Sequence, residues 1–589
     1  MMKARQYDRR FFSRGIQPHV MAIQESNGLK TWTETAGDSL VSGQLTFDDD
    51  FIRMADYLIE TFQDAKEYGS MLTVQADRYD ALVDFIDKSK QEAGNLLFRA
   101  WIDEGEQRIL PLIQQAKWLS MKYDVVVTNP PYMGASNMSA KLSAFVKKNY
   151  PDTKSDLFAA FIERCGTLAH ANGYHALVTQ HAWMFLSSYE KLRAKLLQKE
   201  IMSMTHLGAR AFEEIGGEVV QTTAFVLTNQ HIDGYAGTYA RLVDANTQDA
   251  KEELYLSGAE RYIARQENFE KIPGMPIAYW MSEKFVSAYS NKTIANYGFA
   301  KSGLQTGNND LFLKQWYEVS LCNIAFEMCS KEQYLLSEKK WTPQIKGGEY
   351  RKWYGNFDYV VNWEHDGYEI RNCTGARLNA MGREDLFFRE GITWSHTTSS
   401  IYGARYLPSG YLFNVEAPTL FVSEEHQLYI LGFLNSCVAQ MYLTAINATM
   451  HYLVGDITSL PIIIQKDNCV SKIVDQNISI SRADWDAFET SWDFQSHPLV
   501  PMAYERREQL SYGIHAAERK KAVTLLAERY KHWEWDCSYR FSKLKENEEE
   551  LNRIFIDIYG LAEELTPEVE DRDVTVRRIF DTKEEIPAS

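Results

Sequence analysis

The run Tyr123-Asp124-Val125-Val126-Val127-Thr128, followed at once by Asn129-Pro130-Pro131-Tyr132, constrains this chain more than any other stretch. Its β-branched residues predict a short buried strand. Two consecutive prolines then end it: proline fixes φ and offers no N–H, and the residue before a proline is pushed out of the helical region. Asn129 and Tyr132 are thereby expected at the carboxyl end of a strand, where ligands of open α/β sheets gather. The four residues offer a planar amide acceptor, a stiff turn and an aromatic face. That set suits the holding of an exocyclic amine while a methyl group arrives. An ordinary turn capping a strand also uses Asn-Pro, so the rest of the chain has to decide.

The flanks predict an α/β fold. A strand is expected over 19–24 and a turn at Gly37-Asp38-Ser39-Leu40, and residues 48–121 are mostly helical in pattern, with Phe51, Met54, Ala55, Leu58 and Ile59 on one face. After the motif, Ser155 and Asp156 can cap a helix whose apolar face is Phe158, Phe161, Ile162, Cys165 and Leu168. Gly173 can end that helix, and 174–180 is the next strand. A helix over 188–199 and strands over 202–207 and 220–229 complete an alternation that predicts a largely parallel sheet. From about 236 to 290 the pattern weakens and charges accumulate. Residues 291–465 carry Gly, Trp, Tyr and Asn among short β-like runs, with a helix expected over 428–448. Long helical patterns dominate from 483 onward, including 519–531 and 541–559, and the acidic run Glu546-Asn-Glu-Glu-Glu550 reads as a solvated helix face.

Hydrophobic residues at 45% and aromatics at 13% indicate a well-cored protein. The seven cysteines are odd in number, scattered and without Cys-x-x-Cys spacing, which predicts neither zinc nor disulfides and a reducing compartment. The start is polar and charged, and no apolar run reaches membrane-spanning length, so a cytoplasmic protein without membrane contact is expected. A net charge of −17 argues against non-specific coating of nucleic acid. Any DNA groove would be a local basic strip. The candidate runs from Lys339-Lys340-Trp341 through Lys346-Gly347-Gly348-Glu349-Tyr350-Arg351-Lys352-Trp353-Tyr354, where positive charge is interleaved with aromatics and glycine.

Asp/Asn/Ser-Pro-Pro-aromatic after a hydrophobic strand resembles the catalytic motif of amino-directed methyltransferases that use S-adenosylmethionine. The resemblance implies that the Asn129 amide and the Pro130 carbonyl accept hydrogen bonds from the target amine and that Tyr132 stacks on the base. The order Asn129-Pro-Pro-Tyr-Met-Gly134, Lys154-Ser-Asp-Leu-Phe158, Gly173-Tyr-His-Ala-Leu-Val178 and Gly216-Gly-Glu-Val-Val-Gln-Thr-Thr-Ala-Phe225 resembles the second half of a γ-order adenine methyltransferase. Further segments narrow the likeness: Gly303-Leu-Gln-Thr-Gly-Asn308, 346–356, Leu434-Asn-Ser436 and Glu548-Glu-Glu-Leu-Asn-Arg-Ile-Phe555. Together they resemble the PglX family, adenine-specific DNA methyltransferases of BREX phage-defence systems related to the large fused type II restriction-modification methylases. The likeness covers nearly the whole chain.

That resemblance implies transfer of a methyl group from S-adenosylmethionine to N6 of a flipped-out adenine in double-stranded DNA. It implies a methyltransferase domain over 1–235, a connecting segment over 236–290, a DNA target-recognition domain over 291–465 and a helical region over 466–589. Lys346, Gly347, Gly348, Arg351, Lys352 and Arg405 are the expected DNA contacts, with the glycines letting the backbone approach closely. Asp38 and Asp156 are the candidate cofactor contacts, each with a plain alternative as a turn residue or helix cap. His181 and His206 read as structural. The family's upstream Gly-rich cofactor loop is not found before residue 129, and Ile215-Gly216-Gly217-Glu218 does not replace it, so the fold is expected to be a partial doubly wound sheet, short at both ends of the chain. A separate polypeptide supplying the cofactor-binding half and other phage-defence proteins are the expected partners. Two further readings stay open: a DNA-recognition or assembly fragment without catalysis of its own, and a methyltransferase acting on protein glutamine or RNA. No metal site or nuclease constellation is expected.

Overall fold

The apolar spacing at Phe51, Met54, Ala55, Leu58 and Ile59 does form a helix, Asp49–Thr61 (α1), which shares a core with Tyr79–Glu92 (α2) and Leu96–Ser120 (α3). The structure, a computed structural model, describes residues 10, 13, 20–31, 33–34, 49–92, 96–212, 220–378, 384–398, 401–447, 451–466, 468–500 and 525–579. The chain divides into two units, Met1–Gln266 and Glu267–Ser589. The strand expected over 19–24 is absent among the described residues 20–24. A side chain does the work of a strand partner there: the buried Gln115 accepts from the Gln24 N–H at 2.6 Å and donates to the Gln24 carbonyl at 3.2 Å.

A six-stranded sheet forms the rest of the first unit. Its strands are Tyr123–Thr128 (β1), Ala169–Gln180 (β2), Glu200–Gly208 (β3), Thr222–Thr228 (β4), Gly237–Arg241 (β5) and Arg261–Ala264 (β6), in the spatial order β1-β2-β4-β3-β5-β6. The fold is α/β, but the sheet is mixed rather than largely parallel. β1 pairs parallel with β2 and β3 with β5, while β2–β4, β3–β4 and β5–β6 are antiparallel. The reason lies in the sequence, which shows no helical pattern between the third and fourth strands; neighbours joined without a crossover helix pair antiparallel. β4 accordingly turns back and inserts between β2 and β3. The segment expected to connect, 236–290, adds β5 and β6 to this sheet, with helix Gln248–Ser257 between them in sequence.

Ala140–Asn149 (α4) and Leu157–Leu168 (α5) carry the chain from β1 to β2. α5 ends at Leu168, not at Gly173, which lies inside β2. A Cβ at Gly173 would meet the carbonyl oxygens of Tyr123 and Asp124 at 3.0 Å, so the residue serves a close strand approach beside the register shift of β1. The motif strand is not buried on both faces, contrary to expectation. Among the described residues β1 is an edge strand, with Val125 58% and Val127 72% exposed.

In the second unit, Leu412–Phe413, Trp341–Ile345, Tyr359–Asn362 and Leu313–Gln315 form one sheet in that order. Ala404–Leu407, Gly391–Trp394, Thr419–Val422 and Gly298–Lys301 form another. The helix expected over 428–448 is two helices, Glu424–Leu434 and Cys437–Ile446, bent by 75° where Ser436 caps the second. Both pack into the main core of the unit together with Cys469–Trp485 and Leu526–Tyr559. No single helix among the described residues is long and apolar enough to cross a membrane. The acidic run 546–550 is not wholly solvated: Glu548 is 3% exposed, because Lys352 and the Trp353 indole meet it inside the fold.

Candidate active site

Asn129 leaves the carboxyl end of β1 exposed, and Pro130 behind it is buried. The Tyr132 hydroxyl donates to the Val178 carbonyl on β2 at 3.3 Å and reaches the Asn129 amide oxygen at 3.5 Å. The second contact is at the outer limit of a hydrogen bond. The Tyr132 ring stands edge-on to Phe158, with centroids 6.1 Å apart and planes at 82°. Phe158 is fully buried in α5, so the tyrosine leans on a fixed wall. Burial pushes the Tyr132 phenol above its ordinary range and keeps it protonated.

Asp156 fixes the turn. As the N-cap of α5 it accepts from the Phe158 N–H at 3.2 Å, and the same oxygen accepts from the Met133 N–H at 3.1 Å. Leu157 N–H donates to the Met133 carbonyl at 3.1 Å and Ala135 N–H to the Ser155 carbonyl at 3.0 Å. The loop after Tyr132 is therefore stitched to the start of α5 by three hydrogen bonds. Burial raises the Asp156 carboxyl above its ordinary range, against the opposing pull of the Phe158, Met133 and Leu157 amides. The residue combines its expected cap role with the positioning of the motif. The resulting site holds a rigid, outward amide beside a half-buried aromatic ring, at the end of an edge strand.

His181 and His206, at the ends of β2 and β3, bond to each other through Nδ1 and Nε2 at 2.8 Å. Burial pulls His181 down to about 4 and His206 well below its ordinary 6.5. His175, buried in β2, falls to about 3 for the same reason, with the Lys199 charge adding to it. These imidazoles are neutral and structural. The unfolded chain takes up protons near 6.5 that the folded sites refuse, so their stabilisation is full above pH 6.5 and is lost as pH falls toward 4. Unfolding titrations at pH 7 and pH 5 should show that loss, and His175→Leu should reduce it.

Asp38 and the glycines 216–217 lie outside the described residues. The six expected DNA contacts are placed unevenly. Lys346 is half-buried, its ammonium 5.1 Å from the Tyr359 ring centroid. Arg351 lies over Trp485 at 5.0 Å and 3.7 Å from the Asp484 carboxylate. Lys352 is 5% exposed and donates to Glu548 at 2.8 Å. Arg405 is 1% exposed, donates to the Arg351 carbonyl and Ser395 Oγ at 3.4 Å, and is pulled down to about 10 by burial, with the nearby Arg351 charge adding to the shift. Lys352 and Arg405 are thus interior residues, held there by packing and polar partners, and neither presents its charge to a phosphate. The glycines serve internal closeness too: a Cβ at Gly347 would meet the Glu416 carbonyl at 2.8 Å, and one at Gly348 the Asn356 amide at 2.7 Å. Sequence reasoning missed Glu548 and Asp484 as partners of this strip. No local spacing announces a pair 196 residues apart.

Residues 40–212 match the family model of the Eco57I restriction-modification methylase. The adenine-specific methyltransferase PglX of Lacticaseibacillus casei (strain Zhang) is 40% identical over 594 residues, covering 98% of this chain and 47% of its own. The adenine-specific methyltransferase BrxX of Escherichia coli O9:H4 (strain HS) is 37% identical over 529 residues, covering 85% of this chain and 42% of its own. The chain thus spans less than half the length of these curated relatives. A solved structure of the type IIL restriction-modification enzyme MmeI in complex with DNA overlaps 72% of this chain and 57% of that one, at 13% identity and a TM-score of 0.41.

Proposed function

We propose that this chain, 40% and 37% identical to the adenine-specific methyltransferases PglX and BrxX over less than half of their length, belongs to their family and holds the amine-binding part of a DNA adenine-N6 methyltransferase in a BREX-type phage-defence system. The observation that carries the reading is the clamped turn: Asn129 exposed at the end of β1, with Tyr132 and Met133 tied down behind it. A flipped adenine costs a few kcal/mol to extract, and stacking on Tyr132, worth about 1–3 kcal/mol, offsets part of that. The Asn129 amide oxygen and the Pro130 carbonyl then accept the two amine hydrogens. The N6 lone pair, ordinarily delocalised into the ring, localises as the nitrogen becomes pyramidal. S-adenosylmethionine, when bound, would supply an electrophilic methyl group: the N6–C bond forms as the sulfonium C–S bond breaks, its electron pair staying on sulfur in the departing S-adenosylhomocysteine. The amine sheds one proton to solvent, so no metal or strong base is called for.

The described residues fit the acceptor base better than the donor. Asp156 spends an oxygen on Met133 and Phe158, and among the described residues the flank of β1 away from β2 is open. Within the second unit we assign target recognition to 291–465, with Lys346 as the leading phosphate contact and Arg351 beside it, and helical support to 466–589; the first part of 236–290 belongs to the sheet of the first unit through β5 and β6. The open flank favours a second reading, in which the chain alone recognises DNA and methylates only when another polypeptide completes it. The test is formation of N6-methyladenine, read by mass spectrometry, on duplex DNA incubated with S-adenosylmethionine. It is run with the chain alone and with the remaining portions of the L. casei relative added. Methylated adenine in either mixture is expected. Transfer to protein glutamine or RNA, or none in both mixtures, overturns the proposal.

A further inference from the structure

We propose that Arg577, carried on the extended segment that follows the short helical turn Asp571–Asp573, stands beside Arg351 as a second phosphate contact, so that the two guanidiniums together hold the backbone of duplex DNA. The inference deepens the assignment of target recognition to 291–465 and rests on it for the ligand. The segment reads Asp573-Val574-Thr575-Val576-Arg577, and in an extended chain such alternation sends every second side chain to the same side. Val574 and Val576 are buried in the main core of the unit, which leaves Thr575 and Arg577 on the other side. Three hydrogen bonds set the segment against the basic strip and its partner helix. The Tyr350 hydroxyl donates to the Asp573 carbonyl at 3.4 Å, the Lys352 N–H to Thr575 Oγ1 at 3.2 Å and the Arg577 N–H to Asp484 Oδ1 at 3.1 Å. The first two contacts span 223 residues, so no local pattern in the sequence announces them.

Neighbouring rings bring the two guanidiniums together. Helix Cys469–Trp485 ends on Trp485, whose ring carries Arg351 at 5.0 Å, and Phe488, three residues on, carries Arg577 at 3.5 Å. Asp484 ties both arms: one carboxylate oxygen takes the Arg577 amide, and the other lies 3.7 Å from the Arg351 guanidinium. Burial pulls Arg351 below its ordinary range, Asp484 opposes this, and the like charge of Arg577 adds to it. Two cations held side by side repel, and an anion bridging them relieves the repulsion. Arg577 is exposed, and among the described residues no carboxylate meets its guanidinium. A guanidinium lying flat on a ring keeps its N–H fork turned outward in the ring plane, which is the edge that a phosphate takes in a bidentate grip. An isolated surface arginine would be no more than a solvated charge. Arg577 differs in having a pinned backbone, a ring beneath it and a second cation beside it, so less side-chain freedom is lost when an anion binds.

The test is binding of duplex DNA, read by fluorescence anisotropy over a range of salt concentrations, for the full chain and its Arg577→Ala and Arg577→Lys variants. Each is measured alone and with the remaining portions of the L. casei relative added. Arg577→Ala is expected to weaken binding by about three- to tenfold on every sequence tried and to reduce the steepness of log Kd against log salt by about 1. Arg577→Lys, which keeps the charge, should keep the steepness. Arg351→Ala would also strip the buried Asp484 of a partner, so Arg577 is the residue that decides. Its side chain is exposed and its bond to Asp484 is made by the backbone, so the alanine variant should unfold at the temperature of the parent chain. Unchanged affinity and steepness in Arg577→Ala, a lower unfolding temperature without loss of DNA binding, or no duplex binding by the parent in either mixture overturns the inference. Weakening as expected, in a parent mixture that forms no N6-methyladenine, overturns the methyl-transfer reading and leaves the contact standing. Methylation by the parent together with duplex binding indifferent to Arg577→Ala does the reverse.

Discussion

Replacing Asn129 by alanine is expected to lower adenine methylation by about 10²–10³-fold while DNA affinity stays within a few-fold. The size follows from what the loss of one positioned polar group costs when it acts on developing charge, about 2.7–4 kcal/mol. The amide lies outside the packed interior, and its one described side-chain contact is the 3.5 Å approach of Tyr132. Its removal therefore costs little stability. Pro130 and Tyr132 keep the turn, because Tyr132 is held by Val178 and Phe158 and Met133 by Asp156. What disappears is one of two acceptors on the amine, and with it the bias toward a pyramidal, nucleophilic nitrogen. The measurement is single-turnover methyl transfer beside duplex binding, using whichever mixture methylates DNA. An affinity loss as large as the rate loss would move Asn129 from chemistry to base capture.

Glu548→Ala should destabilise the second unit by about 3–5 kcal/mol, the cost of leaving a buried charge without its partner. Lys352 and Glu548 are 5% and 3% exposed, joined at 2.8 Å, and the second carboxylate oxygen takes the Trp353 indole N–H at 2.7 Å. Burial alone would push the Lys352 ammonium down, but Glu548 and Tyr350 together outweigh it and the group is held above its ordinary range. Removing the carboxylate therefore strands an ammonium and an indole N–H together. The double change Lys352→Met with Glu548→Leu removes both charges and should recover most of the loss, since apolar replacements of buried pairs are often neutral or better. Urea denaturation of the parent chain and the two variants checks this. A loss below about 1 kcal/mol for Glu548→Ala would show that water reaches the pair.

The helix α1, the helix capped by Asp156 and the strand ahead of Asn129 were legible because each is encoded locally: by apolar periodicity in the first, by periodicity and a cap in the second, and by a β-branched run ended by prolines in the third. The exposure of β1 was not. Val125, Val126 and Val127 look the same to a reader whether the strand is central or at an edge, since that is settled by which segments pair beside it. The antiparallel return of β4 was hidden for a related reason: alternation of elements gives their types, not their direction. Lys352 and Arg405 were the larger miss. Basic residues interleaved with aromatics describe a nucleic-acid groove and a buried polar network equally well. What decides between them is distant in sequence: Lys352 meets Glu548 from the helix Leu526–Tyr559, and Arg405 is held by the Arg351 carbonyl and Ser395.

The Lys352–Glu548 pair also sets a timetable. Its members are separated by 196 residues, so at about 5–20 residues per second the ribosome needs roughly 10–40 s to deliver the glutamate after the lysine. Throughout that interval the interior of the second unit has a cation with no counter-charge, and Lys352 must stay hydrated. The sheets around 341–422 can collapse early only in a loosened form. Newly made chains should consequently be open to proteases and chaperones until helix Leu526–Tyr559 has left the exit tunnel.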